Sequence, residues 1–459
     1  MIVASTGEHR STGGGNEPVA PAPRPLLSVP DGVLLVVGMV VGVGIFRAPS
    51  VVAGNVAGGL GLALAWIAGG VASLCGALVY AELSGRFPET GGEYRFIERA
   101  YGRGASFVFA WSRMTVVQTG AIAAVAYVFG DYAQQILPLG GKGAALYAAL
   151  GVTALTALNV AGTPQGKGLQ RLLSAALVLA LATIATAGLA APAAPAAGAA
   201  DPGAGDLGMA MIFVLLTYGG WNEAAYIAGE VRDARRSMVR ILVGGVLLIT
   251  ALYLLVNFSY YRALGLAGMR ASQAVAVDVL RLVAGESGAK LLAIVVCVAA
   301  LTTMNASIIT GARADYAFGR DFGLLRLLGT WREAGSTPAN ALLLQGALTL
   351  LLVLAASFTP DGFTSMVAYT APVFWTFFLL CGAALFVFRV RAGAPESFRV
   401  PLFPLTPLVF CATCAYMLYS SVNYVRFAVS FGNAVLAGIV VMALGLPLYL
   451  LTAARARSA

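Results

Sequence analysis

The chain is poor in charge and almost without histidine. Asp, Glu, Lys and Arg make up 11% of its 459 residues, less than half the roughly 25% usual in soluble domains. Its one histidine, His9, lies near the N-terminus. That removes histidine-centred metal sites and nucleophile–histidine pairs. No H-E-x-x-H and no paired intramembrane Asp occurs either, so an integral-membrane enzyme has no support. Cysteine is scarce: Cys75, Cys297, Cys381, Cys411 and Cys414 all lie in apolar runs, which argues against a disulfide framework. Cys411 and Cys414 have C-x-x-C spacing, but no second Cys or His pair completes a zinc set, and packing is the simpler role. No metal and no cofactor is expected. Period-2 alternation is missing, which excludes a transmembrane β-barrel. The N-terminus lacks the basic, apolar, small-residue order of a cleaved signal peptide.

What the chain does have is apolar sequence. Hydrophobic residues form 59% of it, and the mean hydropathy is +0.84. No water-soluble fold hides that much apolar surface, so the solvent must be lipid. Residues 1–27 are polar, rich in Gly and Pro and aperiodic, and are expected to be a disordered tail. Twelve apolar segments follow, near 31–57, 60–84, 104–136, 143–162, 169–191, 207–230, 238–263, 288–313, 338–358, 364–388, 402–424 and 432–452. Most are long enough to cross about 30 Å of hydrocarbon as helices. The expected fold is all-α and integral to the membrane, one domain over 28–452 with a short tail at 453–459.

The basic residues support that count. Of 29 Lys and Arg, 21 fall in segments on the side of the termini and six on the other, with Arg47 and Arg113 inside spans. This is the positive-inside bias, and it places both termini in the cytoplasm. It also accounts for the net charge of +9 without nucleic acid. The polar stretch 85–103 is expected to hold a short interfacial helix around Tyr94–Arg99, 190–206 an outer loop, and 264–287 short outer helices.

Two spans carry glycine clusters near their middles: Gly42-Val43-Gly44 in the first and Gly219-Gly220 in the sixth. Each Gly costs a helix roughly 1 kcal/mol against Ala. In lipid the freed backbone groups need partners from protein, water or ligand. Breaks in spans one and six are what a 5+5 inverted repeat predicts, with repeats near 31–191 and 207–388 and two added helices near 402–452. The N–H groups of Gly42, Val43, Gly44 and Ile45 would face a carboxylate at a positive helix end. The carbonyls of Val40, Leu216 and Thr217 would face an ammonium. A zwitterion suits both at once. The alternative is a small-residue packing face between helices.

At these residues the sequence resembles the amino acid–polyamine–organocation transporter superfamily, and within it bacterial permeases close to the L-type amino acid transporters. Gly42-Val43-Gly44-Ile45-Phe46 is similar to the family's first-helix motif. Gly91-Gly92-Glu93-Tyr94, Tyr218-Gly219-Gly220-Trp221-Asn222, Arg399-Val400-Pro401-Leu402 and Gly445-Leu446-Pro447-Leu448-Tyr449 follow in family order, with Asn305 in the eighth helix. The resemblance implies exchange or proton-linked uptake of amino acids by alternating access across a bacterial plasma membrane. It implies substrate contacts at Val40, Gly42, Val43, Gly44, Leu216, Thr217, Gly219 and Trp221. Val43 replaces a hydroxyl residue, Leu216 an aromatic gate and Leu177 a lysine linked to coupling, and Phe374 stands near the place of an Asn. Those changes favour a neutral, apolar substrate.

Intramembrane charges are functional suspects. Glu223 follows the sixth-span break and either binds an amine, carries a proton or pairs with an Arg. Arg113 is expected to pair with Glu82 or Glu223, and Arg47 either gates the outer vestibule or is structural. Glu230, Arg232, Asp233, Arg235 and Arg236 form either an inner gate network or a solvated loop. Thr302 and Thr303 either help hold sodium or bond to their own helix. The second reading is a polyamine or amine antiporter. A membrane amino acid sensor without transport is the reading from another class. Animal L-type members pair with an ancillary subunit through an outer-loop Cys. None occurs here, so no such subunit is expected and a monomer or weak homo-oligomer is.

Overall fold

The computed structural model describes residues 28–458 except 88–91, 163–166, 195–204, 232, 323–324, 333–336, 394, 396–397 and 428. The expected tail at 1–27 and motif residue Gly91 lie outside the described residues, as do the side chains of Leu177, Glu230, Arg232 and Arg235.

Helix accounts for nearly all of the described chain. The first span divides into α1 (Val29–Val40) and α2 (Gly44–Gly54), and α3 is Gly58–Arg86. A short α4 (Gly92–Tyr101) leads to α5 (Arg103–Ser112), a π-helical turn (Arg113–Val117) and α6 (Gln118–Ile136). Next come α7 (Gly143–Ala161), α8 (Lys167–Ala190) and α9 (Leu207–Tyr218), then a 3-10 helix, Trp221–Glu230. The rest are α10 (Ala234–Ala271), α11 (Val275–Asp321), α12 (Ala339–Ala356), α13 (Gly362–Ala392), α14 (Leu405–Phe427) and α15 (Val429–Ser458).

Local chemistry sets several of these boundaries. Ser28 caps α1 in a reciprocal box with Asp31, and Pro30 occupies a first-turn position where its missing N–H costs nothing. Asp206 caps α9 by accepting from the Gly208 N–H at 2.8 Å. Positive φ at Gly265 and Gly285 bends α10 and α11, so the region 264–287 forms short helices as expected. The helix expected in 85–103 is α4.

Among the described residues, nine helices are long and apolar enough to cross a membrane, or ten if the bent α1–α2 pair is one span. That is fewer than the twelve expected. The sixth expected segment, α9, has only 12 residues before its glycines, and only Leu179–Ala190 of α8 enters the comparison.

Large apolar side chains face outward, among them Leu60 at 74%, Leu351 at 61% and Leu450 at 59% exposure. Only lipid covers such a surface cheaply. Small residues bring helices close inside. A Cβ on Gly130 would lie 2.2 Å from the Ala144 carbonyl oxygen, so α6 and α7 touch backbone to backbone. The most extensive packing joins α3 to α10, α6 to α11 and α6 to α7. α1, α2, α3, α9 and α10 pack among themselves, as do α6, α7, α11 and α12.

Buried polar side chains brace this second group. Gln118 donates to the Ser307 carbonyl at 2.8 Å, Gln345 to the Ile308 carbonyl at 3.1 Å, and Asn159 to the Asn305 side chain at 2.7 Å. Asn305 therefore ties α11 to α7. Thr302 and Thr303 bond to carbonyls of their own helix at 2.8 and 3.0 Å. All five cysteines are free thiols, including the Cys411–Cys414 pair.

Candidate functional site

The site begins where the first span stops being a helix. The α1 and α2 axes meet at 56°. The Gly42 N–H turns back to the Val40 carbonyl at 2.7 Å, so this donor is used within the turn. α2 then starts without a side-chain cap. Among the described residues, the N–H groups of Val43, Gly44 and Ile45 make no backbone hydrogen bond. They form the positive end of α2. Pro49 removes the N–H that the Ile45 carbonyl would otherwise accept, and the Tyr260 hydroxyl approaches that carbonyl at 3.5 Å instead.

The sixth-span break lies against the first. α9 ends at Tyr218, and the Gly219 N–H bonds the Leu216 carbonyl at 2.9 Å. Gly220 has φ 110, in the left-handed region. A Cβ there would come 2.7 Å from the Met39 carbonyl oxygen and 3.3 Å from the Val40 Cα. Glycine is required on both counts. Gly44 is closely matched too, since its Cβ position lies 3.5 Å from the Thr217 hydroxyl oxygen.

Tyr253 of α10 joins the two breaks. Its hydroxyl sits 3.0 Å from both the Val40 and the Thr217 carbonyl oxygens. The ring is fully buried against Trp66 and Tyr218, at centroid distances of 5.7 and 5.2 Å. The one hydroxyl proton serves one of these carbonyls at a time. The Val40 carbonyl also accepts from the Gly42 N–H and the Leu216 carbonyl from the Gly219 N–H, and each oxygen has two lone pairs. Tyr253 escaped the sequence reading because a Tyr in an apolar span has no signature beyond needing a partner for its O–H. Tyr253→Phe keeps the ring and deletes the bridge. The expected outcome is a loss of about 1–3 kcal/mol in stability and a roughly tenfold loss of uptake, read by thermal melting and proteoliposome assay. Wild-type values in both would show that the bridge holds nothing.

Trp221, expected at the substrate, packs among aromatic side chains. It is 3% exposed and packs at 5.1 Å from Tyr80 and 5.7 Å from Phe378, in an aromatic cluster of α3, α13 and α14.

Charged networks lie on either side of the breaks. On the α2 side, Arg47 is 3% exposed and pairs with Asp361 at 2.6 Å and Asp131 at 3.3 Å. It also donates to Ser50 at 2.7 Å and to the Gln273 side chain. One guanidinium thereby joins α2, α6, the start of α13 and the segment before α11. On the other side, Arg113 occupies the π-helical turn and meets Glu223 at 3.2 Å and Glu93 at 3.8 Å. π-Turns are frequent at functional sites. Of the two partners expected for Arg113, Glu223 is present. Glu82 instead receives a two-pronged contact from Arg389 at 2.7 and 2.6 Å and the Val400 N–H at 2.7 Å.

Glu93, unremarked in its motif, is the hub of this second network. It accepts from the Tyr80 hydroxyl at 2.8 Å and from Asn222 at 3.1 Å. α4 is not one of the spanning helices. Burial pushes the Glu93 carboxyl above its ordinary range, with the Arg113 charge opposing.

Next to this network, α4, α5, the π-helical turn and α11 line a partly open cavity of about 290 Å³, with Arg113, Asp315, Phe109 and Phe318 among its lining. No metal-binding group of three His, Cys, Asp or Glu occurs among the described residues.

The sequence profile described as amino acid permease matches residues 27–451. The serine/threonine exchanger SteT of Bacillus subtilis (strain 168) is 26% identical over 428 residues, covering 90% of this chain and 94% of SteT. The human b(0,+)-type amino acid transporter 1 is 27% identical over 398 residues, covering 84% and 80%. The human large neutral amino acids transporter small subunit 2 is 28% identical over 435 residues, covering 91% and 78%. With paired helix breaks, an apolar outer surface and a profile match over nearly its whole length, the chain belongs to the amino acid permease family of the amino acid–polyamine–organocation superfamily and is a membrane permease, not an enzyme.

Proposed function

We propose that the protein carries neutral amino acids across a bacterial plasma membrane by alternating access, as an exchanger or with protons. The observation that carries this reading is the joint break. The N–H groups of Val43, Gly44 and Ile45 lie at a positive helix end beside Thr217 and the Gly220 backbone. A substrate carboxylate takes those donors, and the Leu216 and Thr217 carbonyls take its ammonium, joined by Val40 when Tyr253 gives its proton to Thr217.

The packing supports an inverted repeat. The most extensive contacts pair the second span with the seventh and the third with the eighth, which are equivalent positions in two five-helix halves. Twelve crossings with both termini cytoplasmic follow from the basic-residue bias. In this arrangement the Arg47 network closes the outer side and the 290 Å³ cavity belongs to the inner side. The amine-antiporter alternative needs Glu223 for the substrate, but its carboxylate is engaged by Arg113. The serine/threonine exchanger and the large neutral amino acids transporter among the relatives favour uncharged substrates.

The test is uptake of a labelled neutral amino acid mixture into proteoliposomes, preloaded or empty, with and without an inward proton gradient. Uptake only into preloaded vesicles makes it an exchanger. Gradient-driven uptake into empty ones makes it proton-linked. No uptake under any condition refutes the neutral amino acid reading.

A further inference from the structure

Asp315 takes no part in the networks described above. It lies on α11, is 4% exposed and makes no hydrogen bond or close ion pair among the described residues; the charge acting on it is that of Arg113. A buried carboxylate without a partner is costly, and within a membrane span it marks a site that meets a ligand or ion. Asp315 lines the cavity of about 290 Å³, close to the roughly 300 Å³ at which small-molecule pockets begin. Arg113 lines the same cavity, and Phe109, Ala110, Ala317 and Phe318 supply an apolar wall. No residue of either helix break contributes to it.

We propose that this cavity is a second amino acid site on the inner side of the breaks. Asp315 receives the ammonium, the Arg113 guanidinium the carboxylate, and the Phe109–Phe318 wall an apolar side chain. Arg95 and Asp321 also line the cavity, but Arg95 pairs with Glu98 at 2.6 Å and Asp321 accepts from the Tyr94 hydroxyl at 3.4 Å, so Asp315, Arg113 and the apolar wall are left to match the three parts of a neutral amino acid. The inference rests on the amino acid reading given above.

Occupancy also has a mechanical consequence. A carboxylate at Arg113 competes with Glu223, whose side chain is 41% exposed and held at 3.2 Å. Binding here therefore loosens the link between the π-helical turn and the 3-10 helix that continues the second break. The second site is a staging point on the inner path that helps free the broken helix to move.

The experiment is saturation binding of labelled L-leucine, and in parallel L-serine, to the full chain in nanodiscs. Wild type is expected to bind two molecules per chain, and Asp315→Asn one. Ala317→Phe fills the cavity from an exposed wall position without altering charge and is also expected to bind one, which keeps the test decisive if Asp315→Asn is unstable. One molecule per wild-type chain, or two retained in the folded variants, overturns the second site. No binding of either amino acid by wild type, together with no uptake of the labelled mixture, overturns the amino acid reading itself.

Discussion

Gly220→Ala is expected to abolish transport. A non-glycine residue in the left-handed region costs roughly 1–2 kcal/mol before any contact is counted. The added methyl would lie 2.7 Å from the Met39 carbonyl oxygen, closer than a Cβ can stand. Relief requires the 3-10 helix to back away from α1. That separates the donors of Val43 and Gly44 from the Thr217 side of the site, and substrate no longer spans both. Uptake should fall to background while the protein still inserts and elutes as a single species from size-exclusion chromatography. Gly219→Ala is a useful comparison. Its added Cβ would meet the Leu216 carbonyl oxygen, its own helix end, at 2.9 Å. A smaller loss is expected there, because the contact between the two broken spans survives.

Arg47→Met carries the second large effect. Arg47 is the cation recorded against both Asp131 and Asp361, which are 18% and 25% exposed. Removing it leaves two carboxylates facing each other with little water. Breaking a buried pair in this way costs about 3–5 kcal/mol. A clear fall in melting temperature is expected, with partial recovery when Asp131→Asn and Asp361→Asn are added, because the amides need no counter-ion. Recovery separates this account from a plain packing role, in which the added changes would worsen the loss. Because Arg47 joins four segments on the side proposed above to be the outer one, the single variant should also open that side more readily. A cysteine-reactive reagent added outside should then label a Cys introduced at Ser50 faster than in the wild-type background.

The two breaks were legible because glycine leaves a compositional mark in an apolar run. Their mutual contact was not. Nothing in the sequence says that Gly220 lies against Met39 and Val40, some 180 residues earlier in the chain. The intramembrane Arg residues stood out by their cost in lipid, and Glu223 was legible as a partner for Arg113, but the partners of Arg47 were not. Arg47 pairs with residues 84 and 314 positions away, a distance at which sequence pattern carries no information. Trp221 shows a different limit. It was expected at the substrate and packs beside Tyr80, Phe378 and Phe410; the direction the chain takes after two glycines depends on backbone angles that sequence does not give. Asp315 and Tyr253 were passed over because single polar residues in spans usually bond to their own helix, as Thr302 and Thr303 do.

The central claim is that the α2 end reads a carboxylate. It is tested most directly by competition against labelled L-leucine uptake in preloaded proteoliposomes, with L-leucine, L-leucinol and isoamylamine as competitors. All three carry an amine and a similar apolar chain, and only L-leucine offers a carboxylate to the N–H groups of Val43, Gly44 and Ile45. The account predicts that L-leucine competes and that the other two are weaker by at least about 100-fold, the loss of more than 2.7 kcal/mol at a factor of ten per 1.4 kcal/mol. Equal competition by isoamylamine would contradict it, because the site would then be reading the amine alone.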